Sequence, residues 1–234
     1  LTTVGMYLIR IRAIINAQID SGMVKEMVSP FGKGKYIIPK SRIAKRPLEK
    51  REIIAIANYE TDNPRHIFAR DMFIFSYLAN GMNFFDIFML RWSDIKGDTF
   101  YFVRQKTSSK LPDKQIRVFI NEQMWNIIKR HATKRDNSPY VFAIVPPNSD
   151  IETATKKIRT SVAGVNVSLK KIAATLNITQ DISTYYARHT FATVMHEMGA
   201  SLFTIKDVIG HEDIKSTQVY VSSERKEKLI TLQN

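Results

Sequence analysis

The 234-residue chain has no cysteine. That removes disulfides, thiolate metal sites and a thiol nucleophile, and it fits a reducing interior. Long apolar runs are missing as well. No uninterrupted stretch approaches the roughly 20 residues needed to cross a bilayer, so no membrane partner is expected. There is no internal repeat and no low-complexity tract, which argues against a solenoid or a solvating tail. The opening LTTVGMYLIRIR has neither an initiator methionine nor a signal-peptide pattern, and it reads as a cut end. Acidic residues are in deficit: 22 Asp and Glu stand against 35 Lys and Arg, a formal charge of +13. Such an excess favours a polyanionic partner, because each neutralised phosphate releases condensed counterions. What is plentiful is apolar: 44% of residues, enough for a sizeable core and too many for a disordered chain.

Hydrophobic spacing then divides the chain. Val4, Leu8, Ile11, Ile15 and Ile19 recur at three- and four-residue steps, which predicts an amphipathic helix over 3–19 with Thr2 or Thr3 as cap. One such helix cannot bury its stripe alone. The following SPFGKGKYIIPKSRIAKRP, rich in Gly, Pro and basic residues, reads as a linker. From Leu48 the pattern becomes globular, with helices near 48–59, 64–79 and 83–90. TFYFVRQK and DKQIRVFI are β-prone runs around TSSKLP and predict a hairpin. NEQMWNIIKRHA is a helix capped by Asn121, and two more helices are expected near 151–164 and 168–176. The segment 183–198 reads as a helix with Phe191, Val194, Met195 and Met198 inward. A shorter helix near 202–209 ends at Gly210, which can supply a left-handed cap. The expected class is mainly α with a small antiparallel β-hairpin sheet, an α+β domain over 46–234 preceded by a helix and linker over 1–45.

The last fifth of the chain carries Arg188-His189-Thr190 in TYYARHTFAT, then Gly210-His211 in KDVIGHEDIKSTQVY, then Tyr220. An arginine can neutralise phosphate oxygens, a histidine can donate a hydrogen bond or move a proton, and a tyrosine can attack. Taken singly, each has a plainer reading. Tyr220 is then half-buried packing, Arg188 a solvated charge and His211 a helix cap at the surface. Yet Arg188 stands among Ala187, Phe191 and Ala192, near a core face where an unpaired guanidinium is costly. A phosphate would satisfy it, and the planar fork suits bidentate contact. The order and spacing of this block resemble the C-terminal signature of the tyrosine recombinases, the phage-type integrases. The resemblance runs from about residue 48 to the C-terminus and is most specific over 183–221.

That resemblance implies a tyrosine recombinase catalytic-domain fold and site-specific cleavage and rejoining of duplex DNA. Tyr220 would attack the scissile phosphate, forming a 3′-phosphotyrosine and freeing a 5′-hydroxyl, with no cofactor, metal or ATP. Arg188 would clamp non-bridging oxygens, and His211 would hydrogen-bond the phosphate and assist the nucleophile. Lys106, in VRQKTSSK, would protonate the leaving 5′-oxygen, with Lys110 as the competing hairpin lysine. His189 matches a structural neighbour of the family, not a catalyst. Two positions depart from the family pattern. In NGMNFFDIFMLRWSDI the family's first catalytic arginine is replaced by Asn83, and the histidine or lysine three residues before Arg188 is replaced by Tyr185. Tyr185 can donate a hydrogen bond but is a poor proton shuttle near neutral pH. Both departures resemble a subgroup carried by conjugative and mobilisable elements. Arg70 in FARDMF is the first candidate for a substitute cation and Arg91 in LRWSDI the second.

The same resemblance makes residues 1–45 the C-terminal part of a helical DNA-clamp domain plus linker, and double-stranded DNA the partner. Lys33, Lys35, Lys40, Arg42, Lys45 and Arg46 are expected to face phosphates without reading bases. A homotetramer on paired sites is implied, monomeric without DNA, with accessory DNA-bending proteins and a place at the bacterial nucleoid in the cytoplasm. The tail ERKEKLITLQN would pack on a neighbouring protomer or on its own domain. Two alternatives stand beside this reading: a catalytically impaired DNA-binding relative, supported by the missing arginine, and a type IB topoisomerase.

Overall fold

The computed structural model describes residues 3–26, 29–32, 34–38, 46–105, 115–214 and 216–218. The chain divides into two compact units, 1–45 and 46–234. In the first, helix α1 (Thr3–Asp20) forms as its spacing predicts. Of its apolar stripe, Val4 and Ile11 are exposed and Leu8, Ile15 and Ile19 half-buried, and Met6, Tyr7 and Ile14 beside it are exposed as well. In the loop that follows, Lys35 Nζ donates to the Ser29 carbonyl at 2.7 Å and Phe31 bridges to Tyr36.

The second unit runs α2 (Lys50–Ala57), α3 (Pro64–Leu78), α4 (Phe84–Met89), a 3₁₀ turn (Trp92–Asp94), β1 (Ile95–Lys96), β2 (Thr99–Val103) and β3 (Gln115–Phe119). It continues through α5 (Glu122–His131), α6 (Ile151–Thr175), α7 (Tyr185–Glu197) and α8 (Leu202–Val208). The expected class therefore holds: mainly helical, with a three-stranded antiparallel sheet in the order β1-β2-β3. The helices start where side chains can satisfy their first amides. Asn63, Asn121, Asp150 and Ser201 each accept from an amide of the first turn of α3, α5, α6 and α8.

Helix α3 is the spine of this unit. Ala69, Met72, Phe73 and Phe75 on it are wholly buried, and it packs against α6 and α7. Phe75 stacks on Phe100 of β2 at 6.4 Å and meets Phe142 edge-on at 5.5 Å, which ties the sheet to the helices. Each such aromatic contributes about 1.5–3 kcal/mol through burial alone.

Three expectations need correction. The two helices near 151–164 and 168–176 are one helix, α6. Gly164 in its middle costs about 1 kcal/mol against alanine, but Ile158, Val165, Leu169 and Ile172 anchor both halves in the core. A third strand, β1, pairs with β2 through Ile95 and Lys96, too short a run to leave a pattern in sequence. In α7 the expected inward face is displaced. Met198 is 79% exposed, and the buried side is Tyr186 to Thr190 with Ala192 and Thr193. Phe191 and Met195 pack on a small separate cluster with Ile205 and Ile209 of the α8 segment.

Candidate active site

Arg188 lies one turn into α7, 4% exposed. It reaches its place because the connection between α3 and α4 makes room. Asn80 and Gly81 take consecutive left-handed conformations, φ 58° and 66°, and Ser76 Oγ donates to the Met82 carbonyl at 2.6 Å to close the turn. A Cβ on residue 81 would stand 2.9 Å from the Arg188 Cα, so glycine alone permits this approach. The Gly81 carbonyl then accepts from Arg188 Nη1 at 2.9 Å.

The other side of the arginine is the end of α8. Gly210, at φ 69°, completes a Schellman cap: its N–H donates to the Asp207 carbonyl at 3.2 Å and the His211 N–H to Lys206 at 2.9 Å. The cap uses those two carbonyls and leaves the carbonyls of Ile209 and Gly210 to arginines. Arg188 Nη2 donates to the Ile209 carbonyl, and Arg104 Nη1 to the Gly210 carbonyl at 3.1 Å. His211, immediately after the cap, is 5% exposed, with Nδ1 2.9 Å from the buried Thr217 hydroxyl, which orients its ring. Residues 21 and 106 apart in sequence thus meet at one turn.

Asp86 of α4 joins this group. It is buried, and its Oδ1 accepts the Gln105 N–H at 3.0 Å. Burial pushes its carboxyl upward, against the pull of the Gln105 N–H and the charges of Arg104 and Arg188. The rest of the Arg-His-Thr run is structural. Thr190 Oγ1 accepts the Leu48 N–H at 3.1 Å across 142 residues, and buried His189 meets the Tyr186 ring edge-on. His189 was expected to be such a neighbour.

Tyr185, the first residue of α7, is 49% exposed and lies one turn before Arg188. Asn83 caps α4, its Oδ1 accepting the Phe85 N–H at 3.0 Å; the side chain where the family places an arginine is a neutral helix cap. Arg70, the first candidate for a substitute cation, is engaged within its own part of the fold. Its Nε holds Asp71 at 2.8 Å and its Nη1 the Tyr59 carbonyl at 2.6 Å. It sits beside a 440 Å³ cavity lined by Asn58, Glu60, Gln123 and Arg130, eight residues, or about 12 Å, before the end of α3. Arg91 lies over the Tyr140 ring at 5.4 Å. Arg46 is committed to Glu49 and Glu52 at 2.6 and 2.9 Å, where it braces the start of α2, so its charge is partly spent within the fold. Tyr220, Lys106, Lys110, Lys33, Lys40, Arg42 and Lys45 lie outside the described residues.

Arg104 is the residue sequence reasoning passed over. The signal was there: Phe100 and Phe102 alternate along β2 and Arg104, directly after it, keeps their phase. Among the described residues no group of three or more acidic or histidine side chains could hold a metal ion, and no helix is long and apolar enough to cross a membrane.

Residues 46–227 match the phage integrase family, and the chain belongs to that family. It is similar to the tyrosine recombinase XerD of Lacticaseibacillus casei, 40% identical over 53 residues, 23% of this chain and 18% of that protein. It is also similar to XerC of Listeria monocytogenes serotype 4b, 37% identical over 57 residues, 24% of this chain and 19% of the relative. The chain thus spans about a fifth of the length of these curated relatives. Among solved structures, the Tn1549 transposon integrase in complex with transposon right end DNA shares the fold with TM-score 0.63 and 12% identity, covering 92% of this chain and 75% of that one. A lambda integrase dimer bound to a COC′ core site shares it with TM-score 0.56 and 13% identity, over 90% of this chain and 69% of that one.

Proposed function

We propose that this chain carries the catalytic machinery of a site-specific tyrosine recombinase acting on duplex DNA. The Tyr220 hydroxyl attacks the scissile phosphorus, the P–O5′ bond breaks, and the strand is held as a 3′-phosphotyrosine while the 5′-hydroxyl departs. Lys106 gives the leaving oxygen its proton. Arg188 and His211 hold the non-bridging oxygens, and Tyr185, exposed one turn away, adds a hydrogen bond. Because the linkage conserves bond energy, rejoining by a second 5′-hydroxyl needs neither metal nor ATP. Residues 1–45 close over the DNA as the end of a clamp domain, the basic linker tracks phosphates, and four protomers assemble on two sites.

One observation carries this reading. A buried arginine and a buried histidine converge on a single capped turn, Ile209 to His211, the arginine held by backbone carbonyls and the histidine by the buried Thr217 hydroxyl. Such a preformed arrangement suits a developing oxyanion, since the donors need not reorganise during reaction. A relative kept for DNA binding alone would not require Arg188 and His211 to be held so rigidly. The test is a nicked suicide duplex carrying the recombination site, mixed with the full-length protein. A covalent protein–DNA adduct that disappears in Tyr220→Phe is expected. Tight binding with no adduct from the unaltered protein would instead identify a DNA-binding relative. Supercoil relaxation with no recombinant product would identify a topoisomerase.

A further inference from the structure

We propose that Arg104 supplies the second guanidinium of the phosphate clamp, in place of the arginine that position 83 lacks. The inference rests on the recombinase reading above and adds a catalytic residue to it. Four observations support it. Arg104 is 9% exposed although it follows directly on an edge-free strand, β2, whose other inward residues are phenylalanines. A buried arginine at a hairpin is expensive to keep unless it meets charge. Its Nη1 donates to the Gly210 carbonyl while Arg188 Nη2 donates to Ile209. The two guanidinium groups thus donate to consecutive carbonyls of the turn that also presents His211.

The third observation is Asp86. Its charge is felt by both Arg104 and Arg188, and the carboxylate is tied to the neighbour of Arg104 through the Gln105 N–H. Asp86 also lies three residues after Asn83 on α4, one helical turn away. The carboxylate beside which an arginine at 83 would lie is therefore already flanked by the one at 104. Together the two arginines bring two positive charges to one buried carboxyl group. The phosphorane formed when tyrosinate adds to a phosphodiester carries two negative charges. The fourth observation is the placement of the rival cations: Arg70 on Asp71 and Tyr59, and Arg91 over Tyr140.

The experiment uses the full-length protein and two nicked suicide duplexes, one with an ordinary scissile phosphate and one with a methylphosphonate there. Removing a non-bridging charge from the substrate removes the demand for one cation, so a clamp residue becomes dispensable on the second duplex, whereas a merely structural residue does not. Arg104→Ala is expected to slow adduct formation by about 100-fold or more on the phosphate duplex and by less than about tenfold on the methylphosphonate. Arg104→Gln, which can still donate to the Gly210 carbonyl but is neutral, should behave as Arg104→Ala does and serves in its place if the alanine variant does not fold. Arg104→Lys should retain part of the rate, with charge but without the fork. Equal losses on both duplexes, or no loss on the phosphate, overturn the assignment of Arg104. If the unaltered protein forms no adduct on the phosphate duplex, or Tyr220→Phe still forms one, the recombinase reading itself has failed.

Discussion

Three glycine-to-alanine substitutions, chemically identical, should have three different outcomes. At Gly81 the backbone is left-handed, φ 66°, and the new Cβ would lie 2.9 Å from the Arg188 Cα. An L-residue in that conformation costs roughly 1–2 kcal/mol. The contact is with backbone, which cannot rotate away, so strain of roughly 1–3 kcal/mol is added. The sum, roughly 2–5 kcal/mol, is a large share of the stability of an ordinary domain. At Gly164 nothing stands within 4 Å of the added methyl and the site is mid-helix in α6. There alanine should stabilise by about 0.5–1 kcal/mol, through a smaller loss of backbone entropy. Gly210 is intermediate: φ is 69°, but the atom in the way is Ile116 Cδ1, the far end of a flexible side chain. Its cost should be mainly conformational, about 1–2 kcal/mol.

Urea unfolding followed by circular dichroism measures all three, with the midpoint read at constant slope. The ranking expected is Gly164→Ala above the unaltered chain, then Gly210→Ala, then Gly81→Ala. A loss below about 1 kcal/mol at Gly81, or a destabilising Gly164→Ala, would refute the account of how Arg188 is seated.

Two further outcomes follow from other parts of the domain. Burial raises the Asp71 carboxyl, but hydrogen bonds from His131, Arg70 and Arg130 outweigh it and hold the group at about 2, against an ordinary 3.8. Its folded value lies below its unfolded one, so the stabilisation, about 2 kcal/mol, is complete above roughly pH 4 and lost as the pH falls toward 2. The stability gap between the unaltered chain and Asp71→Asn should therefore close over that window in urea titrations; a gap independent of pH would contradict it. Thr217→Val removes the hydroxyl that orients His211. It should slow adduct formation by about tenfold, less than the roughly 100-fold expected for loss of the imidazole, while Thr217→Ser stays near the unaltered rate.

The helices were legible because their starts are written in capping residues such as Asn121 and Asp150, whose side chains do accept first-turn amides. Gly164 misled because propensity is local, whereas the contacts that keep α6 continuous come from other helices. The face of α7 was misjudged for a functional reason. Apolar periodicity pointed Phe191, Met195 and Met198 inward. Phe191 and Met195 do pack on Ile205 and Ile209, but Met198 is exposed. The chain also buries Arg188, His189 and Thr190, for bonds to Gly81, Ile209 and Leu48. Partners that distant in sequence leave no periodic trace. Arg104 does leave one, in phase with Phe100 and Phe102, but its carbonyl partner is 106 residues away and nothing local points to it. Beside the exposed-looking Gln105 and Lys106 it reads as one more soluble charge.

Asp86 explains how a guanidinium can change its place in the chain without changing its place in space. A carboxylate buried this deeply is costly when charged, and its neutralisation depends on nearby cations rather than on which segment supplies them. A side chain from residue 83 approaches it along α4, and one from residue 104 approaches it from the end of β2 through the Gln105 contact. If the two routes are equivalent, Asn83→Arg should restore activity to Arg104→Ala. Restoration will be incomplete, because losing the Asn83 cap costs α4 roughly 0.5–2 kcal/mol. A mispositioned charge also forfeits rate, by as much as about 100-fold for an ångström of error. Adduct formation by the double variant should still exceed that of Arg104→Ala by about tenfold or more. The same Asn83→Arg change in the unaltered chain should bring no gain, since a third guanidinium beside one carboxylate meets like charge. A double variant no faster than Arg104→Ala would mean that Asp86 is not a shared anchor for the two positions.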